Sequence, residues 1–284
     1  MKSRLILLIA LLSFGIAPQG MAQVLTPEDD GIIPDPPKFY HHNRVIQYPF
    51  LREADMVWST RHWEIIDIRE KINQHLYYPI KDLPDRKSLF EVLVDGILSE
   101  GTIVEVFYDD LFRNPMTPDA LEERINRIDT FANDNDFGII KEDSSTFFID
   151  TTSIRSNNVV GYKIKSDWYF DKQRGEMKNR IIAIAPRVTS KRSPEPYDLF
   201  WVWFPDARVA LHTHTTYNRN NRKQRLTFDE VFHLRYFNSV VYKEDNVYDR
   251  AIADYKINDT MMQLLEAQQI RENLRNFEHD LWEY

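Results

Sequence analysis

The chain has 284 residues, 43% of them hydrophobic, and a formal net charge of −8 without a single cysteine. The acidic balance argues against general nucleic-acid binding. The lack of cysteine excludes a disulfide framework, a thiol nucleophile and a cysteine-borne lipid anchor.

Lys2 and Arg4 give the chain a basic start, and Leu5 to Ala17 is a nearly unbroken apolar run. Gly20 and Ala22 supply the small residues that precede a cleavage point. Residues 1–22 are therefore predicted to be a secretory signal peptide, with the mature chain starting at Gln23. Losing Lys2 and Arg4 leaves 34 basic against 44 acidic residues, a balance of −10. About 260 residues remain, enough for a full hydrophobic core. Residues 23–47 carry Pro27, Pro34, Pro36 and Pro37 with little periodicity, and read as an extended arm without its own core.

From Tyr48 to Asn73 the spacing predicts an amphipathic helix of about five turns. Pro49 marks its entry, and Glu53 and Asp55 put negative charge in its first turn. Ala54, Val57, Trp58, Ile65, Ile68 and Ile72 fall on one side of it; Met56 and Trp63 fall on the opposite side. A helix apolar on both sides can be gripped from both, by the rest of the chain or by a partner.

Further on, Ser88 to Glu91 reads as a capping box opening a helix with Phe90, Leu93, Val94, Ile97 and Leu98 on its face. Gly101 suits the end of that helix, and Thr102 to Tyr108 reads as a strand. Thr117-Pro118 opens another helix, and Asn133 to Asp143 is an acidic loop. Val159 to Phe170 and Asn179 to Val188 are rich in β-branched and aromatic residues and read as a hairpin. Leu199 to Phe204 reads as a buried strand, followed by a turn or short helix from Pro205. Thr227 to Glu230 is a second capping box, with a strand at Ser239 to Lys243 after it. The last helix, Lys256 to Trp282, has a phase break: Ile257, Met261 and Leu264 share one face, and Ile270, Leu274, Phe277 and Leu281 another. Either this helix bends or its halves are covered by different things. Together these segments predict an α+β fold, a single mixed domain over residues 48–284 with antiparallel strands, flanking helices and a long C-terminal helix.

Catalytic equipment is scarce. With eight glycines there is neither a Walker loop nor a G-x-G-x-x-G fingerprint, and no serine sits in a Gly-x-Ser-x-Gly elbow. The acidic pairs Asp109-Asp110 and Glu122-Glu123 have no identifiable partner acid. His212 and His214 are the best metal candidates, since on a strand both imidazoles would point to one side. Arg219 to Arg225 is the one dense basic patch, a solvated loop or a dock for an acidic neighbour or lipid headgroups.

Four segments carry a resemblance: YPFLREADMVWSTRHWEIIDIREKIN with LYYP (Tyr48 to Pro79), YDLFWVWFPDAR (Tyr197 to Arg208), KEDNVYDRAIADY (Lys243 to Tyr255) and NFEHDLWEY (Asn276 to Tyr284). With these the chain resembles the GldN/PorN family of the type IX secretion system of Bacteroidetes. The resemblance implies a non-catalytic periplasmic subunit, without cofactor or metal. Such a subunit self-associates in a ring with an outer-membrane lipoprotein of the GldK/PorK kind and contacts the motor protein GldM/PorM. It would sit at the inner face of the outer membrane, held there through its partners. The residues expected to face partners are Met56, Trp63, Ile270, Leu274, Phe277 and Leu281. The competing readings are a periplasmic metal-dependent enzyme using His212 and His214, and a soluble escort for secreted cargo.

Overall fold

The computed structural model describes residues 45–81, 83, 86–132, 147–190, 193–219, 226–257 and 259–280. The expected signal peptide, most of the arm, the acidic loop, residues 220–225 of the basic patch, and Leu281 with the rest of the C-terminus lie outside the described residues.

The first element overturns an expectation. Met56–Asp67 is not a helix but a 12-residue strand, β1, entered through a single 3₁₀ turn at Glu53–Asp55. The reason is physical. β1 pairs on both edges and is covered on both faces, so adjacent residues such as Ile65 and Ile66 both carry apolar side chains. The core-directed positions nearer its start hold His62 and Glu64, which spoil the two-residue alternation. What remained legible was β-branched and aromatic content (Val57, Trp58, Thr60, Trp63, Ile65, Ile66), a strand signature that the 3.6-residue spacing obscured.

A short helix follows, α1 (Gln74–Tyr77), then α2 (Leu89–Leu98), whose cap Ser88 accepts from the Glu91 N–H at 3.2 Å. The capping box is only half formed, because the Glu91 carboxylate accepts from Ser156 Oγ instead. The expected strand at 102–108 shrinks to β2 (Val106–Phe107), which makes a tight pair with β3 (Pro115–Met116). Thr117 caps α3 (Pro118–Ile125), with proline in the first turn as expected. β4 (Asn126–Ala132) and β5 (Phe147–Ser153) pair with each other. The predicted hairpin is the longest feature of the fold, β6 (Val159–Asp171) with β7 (Glu176–Val188).

β8 (Tyr197–Asp198) and β9 (Trp201–Trp203) are brief. The apolar run beyond them turns helical at Phe204, where Pro205 occupies the first turn of α4 (Phe204–Thr213). β10 (Thr215–Thr216) pairs with β11 (Leu226–Thr227). Thr227 and Glu230 close the full capping box of α5 (Phe228–His233). β12 (Val240–Glu244), α6 (Ile252–Tyr255) and the 21-residue α7 (Thr260–Asp280) complete the chain.

The result is an α+β fold around one antiparallel sheet in the order β12-β1-β6-β7-β9-β2-β3, with β8 added on β7. One face carries Ile66, Ile68, Tyr162, Ile164, Ile184 and Val202 into a core shared with Phe90 and Leu93 of α2, Leu211 of α4 and Phe232 of α5. The other face has a smaller core of Phe107, Ala183, Ala185 and Trp201, covered by Phe112 from the β2–β3 turn.

Gly161, where β6 passes β1, shows how tightly the two strands meet. A Cβ at this position would stand 2.4 Å from the Ile66 carbonyl oxygen, a backbone atom that cannot swing aside. Gly161→Ala is therefore expected to destabilise the protein by about 1–3 kcal/mol, read as a lower midpoint in urea at unchanged m-value. An unchanged midpoint would show that the strands can part at no cost.

Candidate functional site

Neighbouring residues of β1 point to opposite faces of the sheet, and each face is organised by a buried polar group. On the helical side, Glu64 is 2% exposed. Its carboxylate accepts from Arg235 Nη2 at 2.6 Å, from Ser166 Oγ at 3.3 Å and from Ser239 Oγ. Burial pushes its pKa up, but the Arg235 charge and the Ser239 hydroxyl outweigh this and hold the carboxyl below the ordinary glutamate value. Arg235 is itself fixed. Its second nitrogen donates to Asn179 Oδ1 at 2.8 Å, and its guanidinium lies 5.0 Å from the Trp168 ring centre. Its backbone sits at φ +50°, so the turn after α5 holds it in a left-handed conformation.

α7 closes this side. Ala267 and Ile270 pack with Val241 of β12 and Ile252 of α6, and Phe277 meets Trp58 of β1 at 4.6 Å between ring centres. Between helix and sheet lies a cavity of about 380 Å³, lined by His62, Glu64, Trp168, Arg235, Leu274 and Glu278 among others. Of the charges directed into it, Glu64 is paired with Arg235, and Arg271 of α7 donates to Ser239 Oγ at 3.4 Å.

On the opposite face Trp63 is 5% exposed, and its indole N–H donates to Asp110 Oδ2 at 2.8 Å. Lys165 lies 5.4 Å and Lys243 4.5 Å from the indole ring centre. Lys165 also donates to the Asp110 carbonyl at 2.7 Å; its burial pushes the ammonium pKa down, against the pull of Asp110. Asp110 belongs to the β2–β3 turn, so Trp63 ties that turn to the central strand.

The residues expected to face partners thus separate. Trp63 and Ile270 are buried inside the subunit, Leu274 and Phe277 are half-buried on the sheet-facing side of α7, and Met56 is exposed at the start of β1. α7 runs as one unbroken helix, and its phase break has a simple meaning: the second face is covered by β1 and β12. The first face stays open, with Met261 66% and Leu264 49% exposed. His212 and His214 are not on a strand; they end α4, and His214 Nε2 faces Glu100 Oε1 at 3.3 Å. Among the described residues no group of three or more His, Asp or Glu side chains is placed to hold a metal.

Sequence reasoning missed two features. One is the buried pair Arg208–Asp229, in which two guanidinium nitrogens meet the two carboxylate oxygens at 2.7 and 3.0 Å. The other is a groove of about 820 Å³ whose lining includes Lys71, His75, Tyr78, Arg86, Tyr217, Arg219 and Tyr236. The LYYP segment was the local signal of that groove; its other wall comes from far along the chain, as the bond from Thr216 Oγ1 to the His75 carbonyl, 141 residues apart, shows.

Buried ion pairs thus brace the sheet, and beside them an apolar helix face is left open. The model of gliding motility associated protein GldN matches residues 51–283, and the chain belongs to the GldN family. It is accordingly a protein of gliding motility and type IX secretion. Among curated proteins, none matches it. No helix among the described residues is long and apolar enough to cross a membrane.

The Glu64 site yields a signed prediction. A carboxyl whose folded pKa is depressed contributes stability above its unfolded value, roughly 4.3, and that stability is lost as pH falls through the folded value. Wild type should therefore lose stability more steeply than Glu64→Gln below about pH 4. Arg235→Ala should cost about 3–5 kcal/mol at neutral pH by stranding the carboxylate. Arg235→Lys should recover only part, because an ammonium cannot bridge Glu64 and Asn179 as the planar fork does. Urea melts across pH check all three; equal acid slopes for wild type and Glu64→Gln would remove the linkage.

Proposed function

We propose that this protein is a non-catalytic subunit of a periplasmic ring in the type IX secretion and gliding machinery. In this reading it assembles with an outer-membrane lipoprotein of the GldK/PorK kind, which holds it at the inner face of the outer membrane, and contacts a motor protein of the GldM/PorM kind. The observation that carries the reading is the open face of α7. Met261, Leu264 and Leu265 recur at helical spacing and are all exposed, with exposed Ile257 just before the helix. Burying each such side chain contributes roughly 1.5–3 kcal/mol, and in a ring the gain repeats at every equivalent contact.

The other half of α7 fixes that face in place. Ile270, Leu274 and Phe277 hold the helix on the sheet, and Trp63 supports the same strand from behind. Met56, with exposed Val57 beside it, extends the available apolar surface at the start of β1. The indoles and aliphatics expected to meet partners thus act in two tiers: some touch the partner, and others hold the surface that does.

Met261→Asp combined with Leu264→Asp tests this. Both side chains are exposed, so the subunit's own unfolding free energy should move by no more than about 0.5 kcal/mol per site. Co-purification with the lipoprotein partner should fall at least tenfold, and high-mass particles should vanish from size-exclusion profiles. Intact assembly, or a loss of assembly that tracks a loss of subunit stability, would contradict the assignment.

A further inference from the structure

Buried donors at the cavity between α7 and the sheet meet no acceptor among the described residues. We propose that this cavity binds a small carboxylate with a short apolar body. This inference does not rest on the ring assignment. His62 is 2% exposed and lines the cavity, and its Nε2 makes no hydrogen bond. Glu244 Oε1 stands 3.6 Å from that nitrogen, beyond hydrogen-bond reach. Trp168 pairs with Thr60, next but one to His62, so both rings lie on the helical face of the sheet. Its Nε1 is buried without a partner, and so is Nδ2 of Asn179 on the adjoining strand.

These atoms fix the polarity of the occupant. An indole N–H can only donate. The Asn179 oxygen already accepts from Arg235, so the amide nitrogen is likewise left to donate. Buried donors of this kind call for an acceptor. Two guanidinium groups make that acceptor an anion. Arg271 and Arg275, one turn apart on α7, line the cavity and are exposed at its rim. Arg271 reaches inward to Ser239 Oγ at 3.4 Å, and neither arginine is ion-paired with a described residue. The acids beside them do not fill the role. Both oxygens of Glu64 are occupied, by Ser166 on one side and by Arg235 and Ser239 on the other. Glu278, the other lining acid, pairs with neither arginine. Guanidinium and indole N–H groups together suit the paired oxygens of a carboxylate.

The rest of the lining sets what the carboxylate is attached to. Phe237 and Val241 are buried and Leu274 is half-buried, so apolar wall stands beside the donors. Apolar walls with a few convergent polar groups are the usual make-up of small-molecule sites, whose volumes run from about 300 to 1,000 Å³. At about 380 Å³ this cavity lies at the small end of that range. Inorganic phosphate would leave Phe237 and Leu274 uncovered, and a neutral apolar molecule would leave the donors unpaired. An aliphatic carboxylate answers both demands.

Butyrate is the probe, titrated into the subunit while the indole N–H signals are followed by two-dimensional NMR; Trp168→Phe identifies the signal of Trp168. That signal should move saturably. Arg271→Gln combined with Arg275→Gln should weaken binding at least tenfold. Both side chains are exposed, so an unchanged thermal midpoint separates lost binding from lost folding. Trp168→Phe keeps a ring for the Arg235 guanidinium but removes the donor, and should weaken binding at least fivefold by calorimetry. Butyramide, which has the shape without the charge, and inorganic phosphate should each bind at least tenfold more weakly than butyrate. A glutamate blocked at both ends stands for the acidic side chain of a partner protein and should also bind at least tenfold more weakly. No shift with butyrate, a shift that sodium chloride reproduces at equal concentration, or indifference to the arginine substitutions would overturn the proposal. So would butyramide or phosphate binding as tightly as butyrate. Tighter binding of the blocked glutamate would overturn it in favour of a partner's side chain.

Discussion

A carboxylate sealed within the packing around a sheet is tolerated only if its charge is met there, and the Glu64–Arg235 pair sets that condition for this fold. Glu64 lies on a strand paired along both edges, so no movement of β1 can return it to water. Its partners come from four places: Ser166 on the adjacent strand, Arg235 from the turn after α5, Ser239 just before β12, and Arg271 of α7, which donates to Ser239 Oγ at 3.4 Å. The left-handed backbone at Arg235 follows from the same demand, because the turn must aim a guanidinium back across the sheet. One buried charge thereby fixes the relative positions of α5, β12 and α7.

That constraint bears on the assembly proposed above. A ring subunit of that kind would need its sheet and its contact surface held as one piece. Here the helix that offers the open apolar face is the helix whose other half seals the Glu64 cavity. On the far side of β1, Trp63 and Lys165 tie down the β2–β3 turn through Asp110, and Lys243 lies over the Trp63 ring. The buried ionic groups are thus internal braces, and the contact face proposed on α7 is apolar. This division agrees with membership of a motility and secretion family.

Much of the architecture was legible where local chemistry decides the outcome. Thr117-Pro118 and Thr227 to Glu230 start helices because their side chains satisfy free N–H groups within four residues. The β6–β7 hairpin was visible in its β-branched runs, and the phase break of the last helix did mark two differently covered faces. β1 was misread because a strand buried on both faces and carrying an internal ion pair lacks the alternation that identifies strands. The Glu64 site and the tyrosine groove were illegible for a related reason: their partners lie from 102 to 175 residues away in the chain, and pairing at that distance leaves no periodic trace.

The central claim is that β1 belongs to the interior in the isolated subunit, whereas the first turns of α7 are open until assembly. Amide hydrogen exchange, followed by mass spectrometry on the free subunit and on the assembled particle, addresses both halves at once. The account predicts that amides of residues 60–67 exchange only with global unfolding in the free subunit and change little on assembly. Those of residues 260–266 should exchange readily in the free subunit and become protected in the particle. Fast exchange in β1 of the free subunit, or protection gained there on assembly while α7 is unaffected, would contradict it.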